Sequence, residues 1–222
     1  MNAGGSIRAL ALLAWCCAVA PSLAQVKVAL PTAGELKTVL DLPGDAKRGR
    51  AAYTDCQGCH RRDGSGRPTL FTPRLSGQHA SVILKQIMDI RSGARLNPPM
   101  KPAVEEDHLT PQAFADIAAF LQSLPVTGVL EKGPGTALAQ GQALYARDCA
   151  GCHGERGEGR AELFHPMLAA QHHGYLLREM GLIRDGRRGN SNPAMVQIVK
   201  GYAPADLQAV ADYLSNLPPP PR

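Results

Sequence analysis

The sequence predicts an all-α protein built from two tandem helical domains, and three observations lead there. The chain repeats itself at an offset of 93 residues, so Cys56, Cys59 and His60 fall on Cys149, Cys152 and His153. The same offset brings Gly64, Gly66 and Arg67 onto Gly157, Gly159 and Arg160, and "TPQAFADIAAFLQSLP" onto "APADLQAVADYLSNLP". Apolar residues recur at helical spacing in both halves, and neither half has a convincing run of alternating strand character. Finally, each half carries one Cys-x-x-Cys-His motif at its matching place.

Residues 1–24 read as an export signal: Arg8 leads an apolar run from Ala9 to Ala20, and Ser22-Leu23-Ala24 supplies a small-x-small cleavage site. The run falls short of the ~20 residues a spanning helix needs. A lipoprotein anchor at Cys16 is a poor fit, because bulky Trp15 precedes it. The first domain then covers 25–125, with an extension, 25–44, that has no counterpart in the second half. The second domain covers 126–222, entered through the Pro/Gly-rich stretch Pro125 to Gly135.

Within the first domain a helix is expected from about Asp45 to Cys56, and its twin begins near Ala137. The next runs from about Gln78 to Ser92, with Ile83, Leu84, Ile87 and Ile90 on one face and Arg91 and Gly93 as stop signals. The last starts with Thr110 as N-cap and Pro111 at its first position, burying Phe114, Ile117, Ala118, Leu121 and Leu124. Leu207, Val210, Ala211, Leu214 and Leu217 repeat that spacing.

The net charge is +5, but no basic run exceeds two residues, so a mixed solvated surface is expected and no nucleic-acid partner. Once Cys16 and Cys17 leave with the signal, all remaining cysteines lie in the two motifs. Cys-x-x-Cys-His is the attachment signature of c-type haem. Residues three apart on a helical turn point to one side, so two sulfurs can bond one porphyrin's vinyl groups and the next residue can offer its imidazole to the iron. A shared four-sulfur zinc cage would be an odd use of a duplicated domain. A redox dithiol would need a βαβ context that is missing. Two covalently attached haem c groups are therefore expected.

For the opposite axial position, Met100 and Met195 close "NPPM" and "NPAM", where the prolines favour an extended, stiff loop. Met88 aligns with Gly181, Met167 with Arg74 and Met180 with Ile87, and the three read as packing residues. His79 and His172 compete for the same role, but stand at the start of a helix near the surface. His108, His165 and His173 have no twins and read as surface or loop residues. Arg91, Arg184, Arg95 and Arg188 could pair with haem propionates, or simply complement a helix C-terminus.

Two such motifs in tandem, followed by "LSGQHASVILKQIMDIRSGAR" or "LAAQHHGYLLREMGLIRDGRR" and then a methionine loop, resemble the dihaem cytochromes c4 over about residues 45–217. The resemblance implies two class I cytochrome c domains facing each other across a pseudo-twofold axis. It implies Cys56, Cys59, His60 and Met100 at the first haem and Cys149, Cys152, His153 and Met195 at the second. It also implies a periplasmic carrier of single electrons, not itself an enzyme, working between a quinol-oxidising complex and a terminal oxidase and compatible with peripheral membrane association. The other reading is a dihaem subunit of a larger dehydrogenase, such as a flavin-containing sulfide-oxidising enzyme. A dihaem peroxidase or thiosulfate-oxidising enzyme would need an open or unusual axial position, which paired methionines would deny it.

Overall fold

The computed structural model describes residues 1, 33–105, 109–128 and 130–221. The expected export signal and His108 lie outside these residues. The described chain is helical, and its only β pairing is two isolated antiparallel bridges at twin positions, Arg67 with Thr72 and Arg160 with His165.

The first domain holds α1 (Ala33–Leu40), α2 (Ala46–Ala52), α3 (Gln57–His60), α4 (Ala80–Arg91) and α5 (Pro111–Ser123). The second holds α6 (Leu138–Asp148), α7 (Ala150–His153), α8 (His173–Arg184), α9 (Pro193–Lys200) and α10 (Pro204–Asn216). Asp45 caps α2 by accepting from the Arg48 N–H at 2.8 Å, and Thr110 caps α5 by accepting from Ala113 at 3.2 Å. The expected first helix tightens into a 3₁₀ turn at Tyr53–Cys56 before the motif. α4 ends at Arg91, and Gly93 follows in the left-handed region at φ 82°.

Each domain is organised by one close helix crossing. In α2, Gly49 faces the carbonyl of Asp116 on α5, and in α6, Gly141 faces the carbonyl of Ala209 on α10; a Cβ at either glycine would overlap that oxygen. Beside the crossing, the rings of Tyr53 and Phe120 pack at 5.5 Å and those of Tyr145 and Tyr213 at 5.7 Å, both tilted. Phe114, Ile117, Ala118 and Leu121 are buried in the first core with Met88, and Leu207, Val210, Ala211 and Leu214 in the second with Met180. Asp116 also ties the crossing together electrostatically. It accepts from the Asp45 N–H and twice from Arg48, at 2.7–2.8 Å.

The extension before the repeat acquires a role. Val39 in α1 is buried, and Leu36 and Leu40 pack against the first core beside it, covering α4 and α5. Among the described residues, no helix of the second half matches α1. There, the segment before α6 is tied down by polar contacts: Asp212 accepts from the N–H groups of Gly135 (2.8 Å) and Ala137 (3.0 Å), and Ser215 from that of Gly133 (2.9 Å).

Gly49→Ala and Gly141→Ala should each force a helix pair apart and cost about 1–3 kcal/mol. Denaturant unfolding checks this, and an unchanged midpoint in either variant would contradict the crossing geometry.

Candidate haem sites

In both domains the motif is wound into one helical turn between its flanking elements. Cys56 ends the 3₁₀ turn and packs against the first core, while Cys149 joins α6 to α7 and packs against the second. Cys59 and Cys152, three residues on, are exposed, and none of the four cysteines is in a disulfide. Burial pushes the Cys56 and Cys149 thiols up to about 11. A redox dithiol needs the opposite shift. Among the described residues no group of three or more His, Cys, Asp or Glu is placed to hold a metal ion, so the two motifs do not join in a four-sulfur cage.

His60 and His153 are both buried. The Nδ1 of His60 lies 3.3 Å from the carbonyl of Pro73, and that of His153 lies 3.0 Å from the carbonyl of Pro166. A carbonyl can only accept, so Nδ1 carries the proton and the Nε2 lone pair is left bare. Burial also holds His60 down at about 4, and His153 below its usual value, so both rings are neutral at pH 7. A neutral imidazole whose Nδ1–H is fixed by a carbonyl is the arrangement that iron ligation through Nε2 requires.

The peptide units after these prolines lead into the contact between domains. The N–H of Arg74 donates to Oε1 of Gln171 at 2.9 Å, and Nε2 of Gln171 donates to the Arg74 carbonyl at 2.9 Å. Gln78, the twin of Gln171, makes the reciprocal pair with Met167, the twin of Arg74, at 2.9 and 3.0 Å. Nε2 of His79 donates to the Glu158 carbonyl at 2.8 Å, and Nε2 of His172 to that of Ser65, the matching residue, at 2.7 Å. Contacts that recur with the two halves exchanged define a local twofold axis.

The sequence profile of the cytochrome c family matches residues 46–125 and 138–218. A thiosulfate dehydrogenase electron acceptor from Stutzerimonas stutzeri strain A1501 is 32% identical over 84% of this chain and 94% of its own. A cytochrome c4 from Pseudomonas aeruginosa is 32% identical over 78% of this chain and 89% of its own. The crystal structure of reduced recombinant cytochrome c4 from Pseudomonas stutzeri superposes with a TM-score of 0.70, at 28% identity, over 78% of this chain and 99% of its own. The chain belongs to the cytochrome c family, with the dihaem cytochromes c4. The cytochrome carries two covalently attached haem c groups, one on Cys56 and Cys59 and the other on Cys149 and Cys152.

The methionines are arranged differently from the expectation of extended loops. In "NPPM" the Asn97 carbonyl accepts from the N–H groups of Met100 and Lys101, both at 3.0 Å, so the segment is a turn running into a 3₁₀ helix at Lys101–Val104. In "NPAM" Asn192 caps α9 by accepting from Ala194 at 2.9 Å, Pro193 is the first helical residue and Met195 sits in the first turn. Asn followed by Pro is a helix-start signal, and here it outweighs the stiffness of the prolines. Met100 is half-buried against the first core and Met195 half-buried on α9.

One other expectation needs correcting. His172 is not near the surface but fully buried, and its Nδ1 accepts from the Glu131 N–H at 3.2 Å, so both ring nitrogens are committed. Arg95 and Arg188 both have partners across the domain contact. Arg95 donates to Glu179 (2.9 Å) and Tyr175 (3.1 Å) of the second domain, while Arg188 donates to Gln86 of the first (3.0 Å) and pairs with Glu179 (3.2 Å). Arg184 pairs with its neighbour Asp185 on the surface. His165 lies in a loop, as expected, yet its Nδ1 reaches the Cys152 carbonyl at 2.9 Å and its ring stands 5.8 Å from that of His153.

Gln78 and Gln171 matched across the repeat in sequence, but nothing there distinguished an interface amide from a surface one. Gln78→Ala and Gln171→Ala each strip two hydrogen bonds from a buried peptide unit, and about 1–3 kcal/mol of stability should go with them. Thermal unfolding of the holoprotein measures that loss, and a neutral result would show that the clamp is not formed in solution.

Proposed function

We propose that the cytochrome ferries single electrons between a quinol-oxidising complex and a terminal oxidase in the periplasm, with no substrate chemistry of its own. His60 and Met100 are assigned to the first iron, His153 and Met195 to the second. The observation that carries the reading is the pair of buried, neutral histidines whose Nδ1–H is tied to a proline carbonyl in twin domains. His172 has no lone pair left to compete for iron, and the Nε2 of His79 is committed across the interface. Each haem supplies a one-electron couple, and histidine–methionine ligation sets its potential above that of a bis-histidine haem. With the sulfurs of Met100 and Met195 bound to the irons, oxygen and peroxide would find no vacancy, which argues against a peroxidase. Export rests on residues 1–24, and no described helix is long and apolar enough to cross a membrane.

A second reading has one specific observation in its favour. The relative from Stutzerimonas stutzeri is described as an electron acceptor of thiosulfate dehydrogenase, and the match spans 94% of it. On that reading the cytochrome is the electron-accepting partner of a dehydrogenase, with a thiosulfate enzyme a better supported candidate than the flavin-containing sulfide enzyme expected from sequence.

The ferric protein should show the weak near-infrared band of methionine–iron ligation, with Met100→Ala and Met195→Ala each removing its own part. A band that persists in the double variant would refute both assignments. Mixed with native membranes, the reduced cytochrome should be reoxidised by oxygen through a terminal oxidase. If membranes leave it reduced while a thiosulfate dehydrogenase reduces it rapidly, the second reading holds.

A further inference from the structure

One side chain at the interface breaks the twofold pattern. Arg74 is 1% exposed, yet its twin is the neutral Met167, also buried. The guanidinium donates to three carbonyl oxygens: through Nη1 to Ser76 in its own domain, and through Nη2 and Nε to Ala169 and Ala170 in the other, both at 2.9 Å. Ser76 and Ala169 are themselves twins at the 93-residue offset. A group that bridges two twin carbonyls lies close to the local axis, and its third bond, to Ala170, tips it toward the second half. An axis has room for one such group, since a second arginine from position 167 would have to occupy the same space. The symmetry of the duplication must break here, and it breaks as cation against thioether.

Physical cost shows that this is more than packing. A buried charge is expensive to strip of water unless it is well compensated. Methionine fills the twin position without that cost. Among the described residues the Arg74 guanidinium is compensated by carbonyl dipoles, those of Ser76, Ala169 and Ala170. Burial draws the guanidinium down to about 10, so it stays charged at neutral pH. Other charged groups at the interface gather in a separate cluster, in which Glu179 faces Arg95, Arg178 and Arg188, and Asp89 faces Lys85 and Asn190, while Arg61 and Glu131 lie with Arg74 around His172.

A fixed cation in a low-dielectric interior favours the oxidation state with less positive charge. For a haem iron that is the ferrous state. The backbone of Arg74 also adjoins the Pro73 carbonyl that holds His60, and its guanidinium reaches the loop that follows Pro166, which holds His153.

We propose that Arg74 is a redox-tuning residue, a single buried cation close to the axis between the two domains that raises the reduction potentials of both haems together. The proposal rests on the two haems but not on which side chains ligate them from the far side. Mass spectrometry for two haems and the near-infrared band therefore come first, so that a failure of the ligand assignment is seen separately.

The test is spectroelectrochemical titration of the intact holoprotein. Arg74→Met, which copies the twin residue at similar volume, should make both haems harder to reduce, each on the order of tenfold, or about 59 mV for one electron. Arg74→Lys keeps the charge and should return most of the shift. The exchanged pair Arg74→Met with Met167→Arg should restore both potentials, because an axial cation can come from either half. Should Arg74→Met not mature with both haems, Arg74→Gln, neutral but still a hydrogen-bond donor, is read in its place. Unchanged potentials in a fully loaded neutral variant, a shift confined to one haem, or failure of the exchanged pair to restore both would each overturn the proposal.

Discussion

The structure turns on the hydrogen bond from each motif histidine to a proline carbonyl, His60 to Pro73 and His153 to Pro166. It fixes the ring's orientation and its tautomer at once, so that the free lone pair points away from the loop. It also fixes the loop. Gly66 and Gly159, at φ 79° and 78°, return the chain against the residues around each proline, where a Cβ would collide with backbone. The N–H groups of Leu75 and Leu168 then close onto the carbonyls of Gly64 and Gly157 at 2.7 and 2.8 Å. A loop so fastened presents the next peptide unit rigidly outward, and the other domain's glutamine takes hold of that unit. The iron-binding chemistry and the domain contact are therefore two ends of one short segment.

The two halves keep what geometry demands and differ where it does not. Gly49 and Gly141 are both required by a helix crossing too close for a side chain. Left-handed Phe71 and Phe164 recur because the turn at each isolated bridge needs that backbone. By contrast, Arg61 adopts the positive φ that Gly154 takes in the second domain, a strained choice for a residue with a Cβ. Gln86 and Glu179 are twins, but only Glu179 carries the charge that gathers Arg95 and Arg188 from both domains. One acid suffices, because both arginines approach the same face.

Much of this was legible beforehand. A motif such as Cys56-x-x-Cys59-His60 announces its chemistry through residue type and spacing, and α5 and α10 announce themselves through apolar periodicity and an initial proline. The missed features have particular causes. The start of α9 carried its signal in Asn192-Pro193, read as loop stiffness when it was a cap and first turn. His172 looked superficial because a helix start usually is, and only the first domain packed over it, at Ser65, makes it buried. Arg74 and Gln171 are 97 residues apart and meet through tertiary structure alone, so no local pattern could join them. The extension containing Val39 lacked a twin, and the repeat gave it no context.

The character of the interface bears on how a two-haem carrier works. An apolar contact of similar extent would hold the domains together but tolerate sliding, since the hydrophobic effect is non-directional. Here the contact is made of amide, imidazole and guanidinium groups bonded to backbone carbonyls and N–H groups. Such bonds are lost within a few tenths of an ångström of misfit, and an unmet buried partner costs about 1–3 kcal/mol. Sliding would leave several unmet at once, so a single relative orientation is favoured. Because the bonded peptide units are those next to Pro73 and Pro166, that orientation also sets how the two histidines face each other. Haems held by His60 and His153 would then exchange electrons without the domain motion that two tethered single-haem domains would need.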